Sequence, residues 1–448
     1  MGLRFRYNSI DREILRLSLP TIVSNVTVPL LGICDTAIAG HLGSELFLSA
    51  IAVGSVMLNV VFWIFGFLRG GTTGLTANAL GEENTSEIGK VFYRSLSIAF
   101  AAGFLLIIFQ TPIYKALISI VGASEEIRED VLQYFRLRIW GAPALLATMA
   151  ISGWFVGMQS TYYPMLIAIV MNLLNIAGSF ILVFPLHYGF AGVAAGTMIS
   201  NWLGLLISIG CILYFLKGRF PKVSIAEFLK GNWWRYFSVN GNLFIRSFFI
   251  ICVTMGVTAA GATLGNLTLA VNVIIMQFFQ FFSFFMDGFA FSGEAMVGLR
   301  YGEKNFTMLN KSVRRLLQWT FATGIFFTIF YSMGTPAITS LLTDSPGVRE
   351  GVGEMILWIS LIPLVSCWAF IFDGFYIGIT DTFNMMISSL AGALIFFFII
   401  YASPALLSAG GNSLIWIAFL SYLGLRGAYL ALCWRRKIIG PDLRKSII

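Results

Sequence analysis

The chain has 448 residues, of which 58% are hydrophobic and 11% charged, with a mean hydropathy of +0.84 and a formal net charge of +8. A soluble domain carries about 25% charged residues. Too little charge is available here to cover a water-facing surface, which excludes a soluble enzyme or binding module and leaves a surface that faces lipid.

A hydrocarbon core about 30 Å thick takes about 20 apolar residues per helical crossing. Twelve such spans are predicted in chain order, over 14–39, 47–69, 92–118, 131–157, 161–184, 189–216, 236–261, 267–298, 313–340, 352–378, 383–407 and 411–434. The expected fold class is an all-α membrane protein. The first span follows Arg4, Arg6, Arg12 and Arg16 and ends at Ala37-Ile38-Ala39, which resembles a cleavable signal. Its apolar run from Leu17 to Cys34 is longer than the ~7–15 residues of such signals, and Asp35 follows. It is read as a retained span.

Lysine and arginine placement sets the orientation. With the N-terminus in the cytoplasm, the inner segments hold Arg4, Arg6, Arg12 and Arg16, then Arg69, Lys90 and Arg94, then Lys217, Arg219, Lys222, Lys230 and Arg235. Arg300, Lys304, Lys311, Arg314 and Arg315 follow, and then Arg435, Arg436, Lys437, Arg444 and Lys445. The outer loops hold only Lys115, Arg128 and Arg349. Both termini are therefore expected in the cytoplasm, with the chain multi-pass in the inner membrane. The basic excess is a topology signal, not a nucleic-acid footprint, and no nucleic-acid partner is expected.

An internal repeat organises the chain. Gly81-Glu82-Glu83-Asn84 recurs as Gly302-Glu303-Lys304-Asn305, and Gly157-Met158-Gln159-Ser160-Thr161 as Gly378-Ile379-Thr380-Asp381-Thr382. Pro143 matches Pro363, Leu42-Gly43 matches Leu264-Gly265, and Ala52-Val53 matches Ala270-Val271, all at nearly one offset. The expected organisation is two six-helix lobes, 1–216 and 236–448, joined by a basic cytoplasmic linker, 217–235. Six helices per lobe keep both halves in one orientation, so the repeat is parallel, as in carriers built of two halves.

Charged groups inside spans cost about 2.5–3.5 kcal/mol each at mid-helix and so mark candidate sites. They are Asp35, Asp287, Glu294 and Asp373, with Arg136, Arg138, Arg246 and Arg426. Asp35 closes a span containing Pro20 and Pro29, and two prolines let a helix bend. A carboxylate withdrawn from water holds its proton more readily, and a nearby cation or donor opposes this. Tyr134, Asn175 and Thr197 fall at a similar depth, with Ser179 on one helix face with Asn175. They are read as either a coupling cluster or helix–helix glue. The repeat position matching Asp35 falls near Val257, so the second lobe has lost this carboxylate. In its place that lobe offers Asp287, Glu294 and Asp373. Arg246 is a possible counter-charge, and Glu294 could instead reach the inner interface near Arg300. The aromatic run Phe278–Phe285 and Met286 could wall a cavity or simply pack.

Nothing indicates catalysis or a resident cofactor. The five cysteines lie in apolar runs, His41 and His187 are isolated, and no glycine-rich loop ends in Gly-Lys-Ser/Thr. No metal site is expected, and transport is expected to draw on an H+ or Na+ gradient.

The chain resembles the multidrug and toxic compound extrusion (MATE) family, in its DinF-like branch. The resemblance is carried by Leu19-Pro20 through Leu30-Leu31-Gly32-Ile33-Cys34-Asp35-Thr36, by Gly70–Gly81, and by Arg138-Ile139-Trp140-Gly141-Ala142-Pro143. Asn172-Leu173-Leu174-Asn175-Ile176 and Asp287-Gly288-Phe289-Ala290 extend it. It implies an antiporter expelling cationic or amphipathic organic compounds against inward proton or sodium flow. It also implies a first-lobe cation site at Asp35, Tyr134, Asn175 and Thr197, a hinge at Pro20 and a second-lobe carboxylate at Asp373. Where the family often has an aspartate, this chain has Ser179. One carboxylate instead of two weakens a sodium site, which favours the proton. The chain is expected to act as a monomer on small organic cations or amphiphiles within the bilayer. The alternative is a flippase for lipid-linked or other large amphiphiles.

Overall fold

The computed structural model describes residues 9–41, 45–122, 124–218, 223–229, 233–402 and 404–436. Every regular element among them is helical. The chain divides into two compact units, Pro20–Trp233 and the stretch to Leu19 joined with Trp234 onward. Among the described residues, eleven helices are long and apolar enough to cross a membrane, or twelve spans if one pair bent by 49° is counted as a single span. Several expected features lie outside the described residues: Arg4, Arg6, Arg219, Lys222, Lys230, Lys437, Arg444, Lys445 and the Leu42-Gly43 match.

The first unit takes α1 (Ile10–Gly40) from Pro20 onward. It continues through α2 (Glu45–Ile64), α3 (Phe67–Gly81), α4 (Thr85–Ile108), α5 (Gln110–Val121), α6 (Arg128–Ile139) and α7 (Ala142–Gly157). α8 (Tyr162–Val183), α9 (Gly189–Phe215) and the short α10 (Ile225–Leu229) complete it. Pro143 in the first turn of α7 suits the break between α6 and α7, because that turn needs no backbone donor there. The second unit holds α11 (Trp233–Thr263), α12 (Asn266–Gly302), α13 (Phe306–Leu342), α14 (Pro346–Glu354), α15 (Ile356–Gly378), α16 (Thr382–Tyr401) and α17 (Pro404–Trp434).

The structure departs from the expected lobe 1–216 in one respect: the first turns of α1 pack with the second unit. Within that unit Arg300 donates to Glu13 Oε2 at 2.7 Å, Ser292 Oγ to the Ile14 carbonyl at 3.3 Å, and Trp319 Nε1 to Asp11 Oδ1 at 3.0 Å. A second departure concerns the glycine- and threonine-rich stretch after residue 69, expected to lie beyond span 2. It is a buried helix, α3, because small side chains let it lie close against α7. A third concerns Arg94, expected among the loop charges. It is buried in α4, donating to the Phe228 carbonyl at 3.2 Å and lying over the Trp233 ring. It thereby ties the linker helix α10 to the first unit. α10 begins with a capping box: Ser224 N donates to Glu227 Oε2 at 2.9 Å, and Glu227 N to Ser224 Oγ at 3.2 Å. These bonds hold the Glu227 carboxyl below its usual range.

The repeat reappears as matched geometry. Glu83 and Lys304 both take left-handed φ, 53° and 55°. Asn84 and Asn305 then cap the next helices, accepting from Glu87 N at 3.0 Å and Met308 N at 3.1 Å. Gln159 and Thr380 match likewise at φ 63° and 58°. A Cβ on Gly153 would strike the Arg69 carbonyl, and one on Gly374 the Ala290 carbonyl. The same close helix crossing is thus built once in each unit.

Candidate functional site

In the first unit Asp35 lies five residues before the end of α1, half-buried, and its Oδ1 is shielded from solvent with no hydrogen-bond partner among the described residues. α1 runs unbroken through Pro20 and Pro29. Asn172 Nδ2 on α8 donates to Thr27 Oγ1 at 2.9 Å, which ties the middle of α1 to this unit. The same unit carries a basic residue, Arg138, on α6.

Arg138 is itself held in place. Its Nη1 donates to the Tyr134 hydroxyl at 2.9 Å and to Ser55 Oγ at 3.3 Å, and the guanidinium lies 5.4 Å from the centre of the Tyr134 ring. Ser55 Oγ and the Tyr134 hydroxyl are 2.9 Å apart. α2 can approach α6 this closely because residue 54 is glycine; a Cβ there would lie 2.5 Å from the Tyr134 ring. Tyr134 is fully buried and also packs against Phe190.

The polar residues of α8 and α9 bind one another. Asn175 Nδ2 donates to Thr197 Oγ1 at 3.2 Å, Ser179 Oγ donates to Asn175 Oδ1 at 3.4 Å, and Thr197 Oγ1 donates to the Val193 carbonyl at 3.1 Å. All three side chains are buried. The structure therefore joins Asn175, Ser179 and Thr197 in one network and Tyr134 with Arg138 and Ser55 in another. Asp35 Oδ1 belongs to neither by hydrogen bond.

The second unit treats its acid differently. Asp373 on α15 is buried, and its Oδ2 accepts from Arg426 Nη2 at 2.5 Å and from Arg246 Nη2. Arg426 also donates to the Tyr422 hydroxyl at 3.0 Å and lies over that ring. Arg246 thus neutralises Asp373, one of the carboxylates it was expected to serve, and Arg426 joins it. Glu294, left open between a site candidate and an interfacial residue near Arg300, is buried, while Arg300 donates to Glu13. Asp287 is half-buried on α12. Met286 is fully buried in the core with Phe278 and Phe282, so it lines no open space; Phe281 on another side of α12 is exposed.

Sequence reasoning missed the Glu13–Arg300 pair. It began the first span at residue 14 and counted Arg300 among loop charges. The spacing of Ile10, Ile14 and Leu17 would have carried the helix one turn earlier and placed Glu13 inside it.

Among the described residues no three histidine, cysteine or acidic side chains converge as a metal site. What the helices present is intramembrane charge on long apolar spans, the architecture of a multi-pass membrane transporter. The chain belongs to the MatE family, whose profile matches residues 20–181 and 243–402, and within it to the DinF-like members. It is similar to the DNA damage-inducible protein F of Escherichia coli strain K12, 33% identical over 429 residues, 96% of this chain and 93% of that protein. It is also similar to a probable multidrug resistance protein NorM of Acinetobacter baylyi, 23% identical over 95% of this chain and 94% of that one. Among solved structures, the fold matches a transporter of Pyrococcus furiosus described as having a binding pocket of reversed polarity. The TM-score is 0.85 at 18% identity, over 96% of both chains. An outward-facing multidrug resistance MATE transporter matches at TM-score 0.85 and 18% identity, over 97% of both chains. The family's members are membrane transporters of organic compounds, not enzymes.

Proposed function

We propose that the chain is a proton-coupled antiporter that expels cationic or amphipathic organic compounds, with Asp35 as the coupling group. One observation carries this reading: Asp35, inside a membrane span, makes no ion pair among the described residues, and its Oδ1 is shielded from solvent with no hydrogen-bond partner there. A group so placed gains or loses a proton without breaking a fixed ion pair. Ser179 stands where the family often has a second acid, and a hard cation favours charged oxygen ligands, so the proton is favoured over sodium. Protonation of Asp35 changes its hydrogen bonding, and α1 answers by bending at Pro20, the residue at which α1 passes from one compact unit to the other. The bend reshapes the first unit and releases substrate. The relatives named for multidrug resistance support the substrate class. The charge pattern supports both termini in the cytoplasm, and the carrier works as a monomer.

Reconstituted vesicles test this directly. A cationic dye is expected to move against an imposed proton gradient with stoichiometric proton counterflow. Transport driven by sodium at fixed pH with no proton movement would overturn it. Preference for a lipid-linked sugar over the dye would move the assignment to a flippase.

A further inference from the structure

α1 is anchored at two places, one in each compact unit. Its foot is built into the second unit by charge: Glu13 and Arg300 are both buried and meet at 2.7 Å. A buried pair of this kind holds, because freeing either partner would strand the other's charge. Two neutral bonds flank it, from Ser292 Oγ to the Ile14 carbonyl and from Trp319 Nε1 to Asp11 Oδ1. The other anchor is the bond from Asn172 to Thr27 within the first unit. Between the anchors α1 is soft. Pro20 brings no N–H to the helical ladder. Ser24 Oγ donates back to the Thr21 carbonyl at 2.9 Å, and Thr27 Oγ1 to the Ser24 carbonyl at 2.6 Å; bonds of this type bend helices. Leu19 and Val23 are exposed, so little packing stiffens that side of the stretch.

We infer that Glu13 and Arg300 are a positioning pair for transport: they fix the foot of α1, so that movement of the helix around Asp35 is taken up as a bend between Ser18 and Thr27. This rests on the proposal that Asp35 is the coupling group and adds what its helix works against. A helix free at its foot answers a displacement by moving as a rod, and no bend forms. With the foot held, the same displacement must appear in the softest stretch, which contains Pro20. Loss of the pair leaves only two neutral bonds, each weaker than a charge-assisted one. Proton and substrate movements then lose their fixed ratio. The pair acts through α1, eighteen or more residues from any contact with Asp35 in the case of Glu13, and not by touching the coupling group.

The test measures proton and dye fluxes together, with the full-length chain in vesicles under an imposed proton gradient and a cationic dye as the probe. Glu13→Gln is expected to lower dye flux by about tenfold, the loss of a modest site-to-site coupling, and to raise the number of protons moved per dye. Arg300→Lys keeps the charge and should keep the wild-type ratio. The reversed pair, Glu13→Arg with Arg300→Glu, should restore the ratio that Glu13→Gln loses. If Glu13→Gln does not accumulate as folded protein, Glu13→Gln with Arg300→Gln, which strands no charge, takes its place with the same expected loss. A purely structural role would lower the amount of active transporter and leave protons per dye unchanged. A folded neutral variant with the wild-type ratio therefore overturns the inference and leaves Asp35 coupling intact. A wild-type protein that moves dye without protons overturns the coupling proposal itself.

Discussion

Asp35 and Asp373 both lie in helices long and apolar enough to cross a membrane, yet their surroundings are opposite in kind. Asp373 is gripped on one oxygen by two guanidiniums from α11 and α17, one of them further braced by Tyr422. Asp35 makes no ion pair among the described residues, and its Oδ1, like Asp373 Oδ1, is shielded with no hydrogen-bond partner there. A buried carboxylate clamped by two fixed cations is part of the frame, because releasing it would strand charge in a low-dielectric interior. A shielded carboxylate without such a clamp can change protonation state and leave its neighbours in place. On the proposed reading, the two repeats share a scaffold and divide the labour: one acid for switching, one for holding.

The largest expected effect tests the holding role. Asp373→Ala leaves Arg246 and Arg426 without their shared anion, and breaking a buried pair in this way costs about 3–5 kcal/mol. A fall in thermal midpoint of the purified protein would register it. Replacing the trio together, Asp373→Leu with Arg246→Met and Arg426→Met, should recover most of the loss, since apolar residues of similar volume can be neutral at such sites. Recovery of stability without recovery of transport would sharpen the comparison by giving Asp373 a functional share as well.

The next effect tests the switching role. Asp35→Asn keeps the side-chain shape and removes the exchangeable proton. Coupled efflux should fall by about a hundredfold, the scale on which positioned proton-transfer groups act. The thermal midpoint should barely move, because Asp35 Oδ1 has no hydrogen bond to lose. Equal loss of stability in Asp35→Asn and Asp373→Ala would erase the distinction between the two acids.

These two sites also show how far the sequence can be read. The spans followed from hydropathy, and the repeat from short matches such as Gly81–Asn84 with Gly302–Asn305, because both are local patterns. Asp35 and Asp373 stood out because a lone acid in an apolar run is costly. Their partners were less accessible. Arg426 joins Asp373 across 53 residues and Arg300 joins Glu13 across 287, and no local spacing links such pairs. Asn175, Ser179 and Thr197 shared a depth, but depth did not reveal that they would satisfy one another. The stretch 70–81 misled for a physical reason: glycine and threonine favour loops in water, whereas at a helix crossing within a membrane they permit close contact.

A matched pair of packing changes probes whether the scaffold is truly common to both halves. Gly153→Ala would push a methyl into the Arg69 carbonyl, and Gly374→Ala one into the Ala290 carbonyl. Each should destabilise by about 1–3 kcal/mol, the usual cost of overpacking. Similar losses are expected in the two variants, read as shifts in denaturation midpoint. A large loss in one and none in the other would show that the crossings have diverged.

The smallest effect is also the most symmetric. Asn84 and Asn305 each follow a residue with left-handed φ and each accept a bond from the backbone three positions on. Removing an N-cap of this kind costs about 1 kcal/mol. Asn84→Ala and Asn305→Ala should therefore lower stability by equal small amounts, and neither should alter proton-coupled transport, because neither touches Asp35 or Asp373. Adding Asn84→Ala to Asp373→Ala should give the sum of the two losses, since no partner is shared. A clear excess over that sum would mean that a cap in the first repeat and the clamp in the second are energetically linked, and the clean division between holding and switching would have to give way to a frame strained as one body.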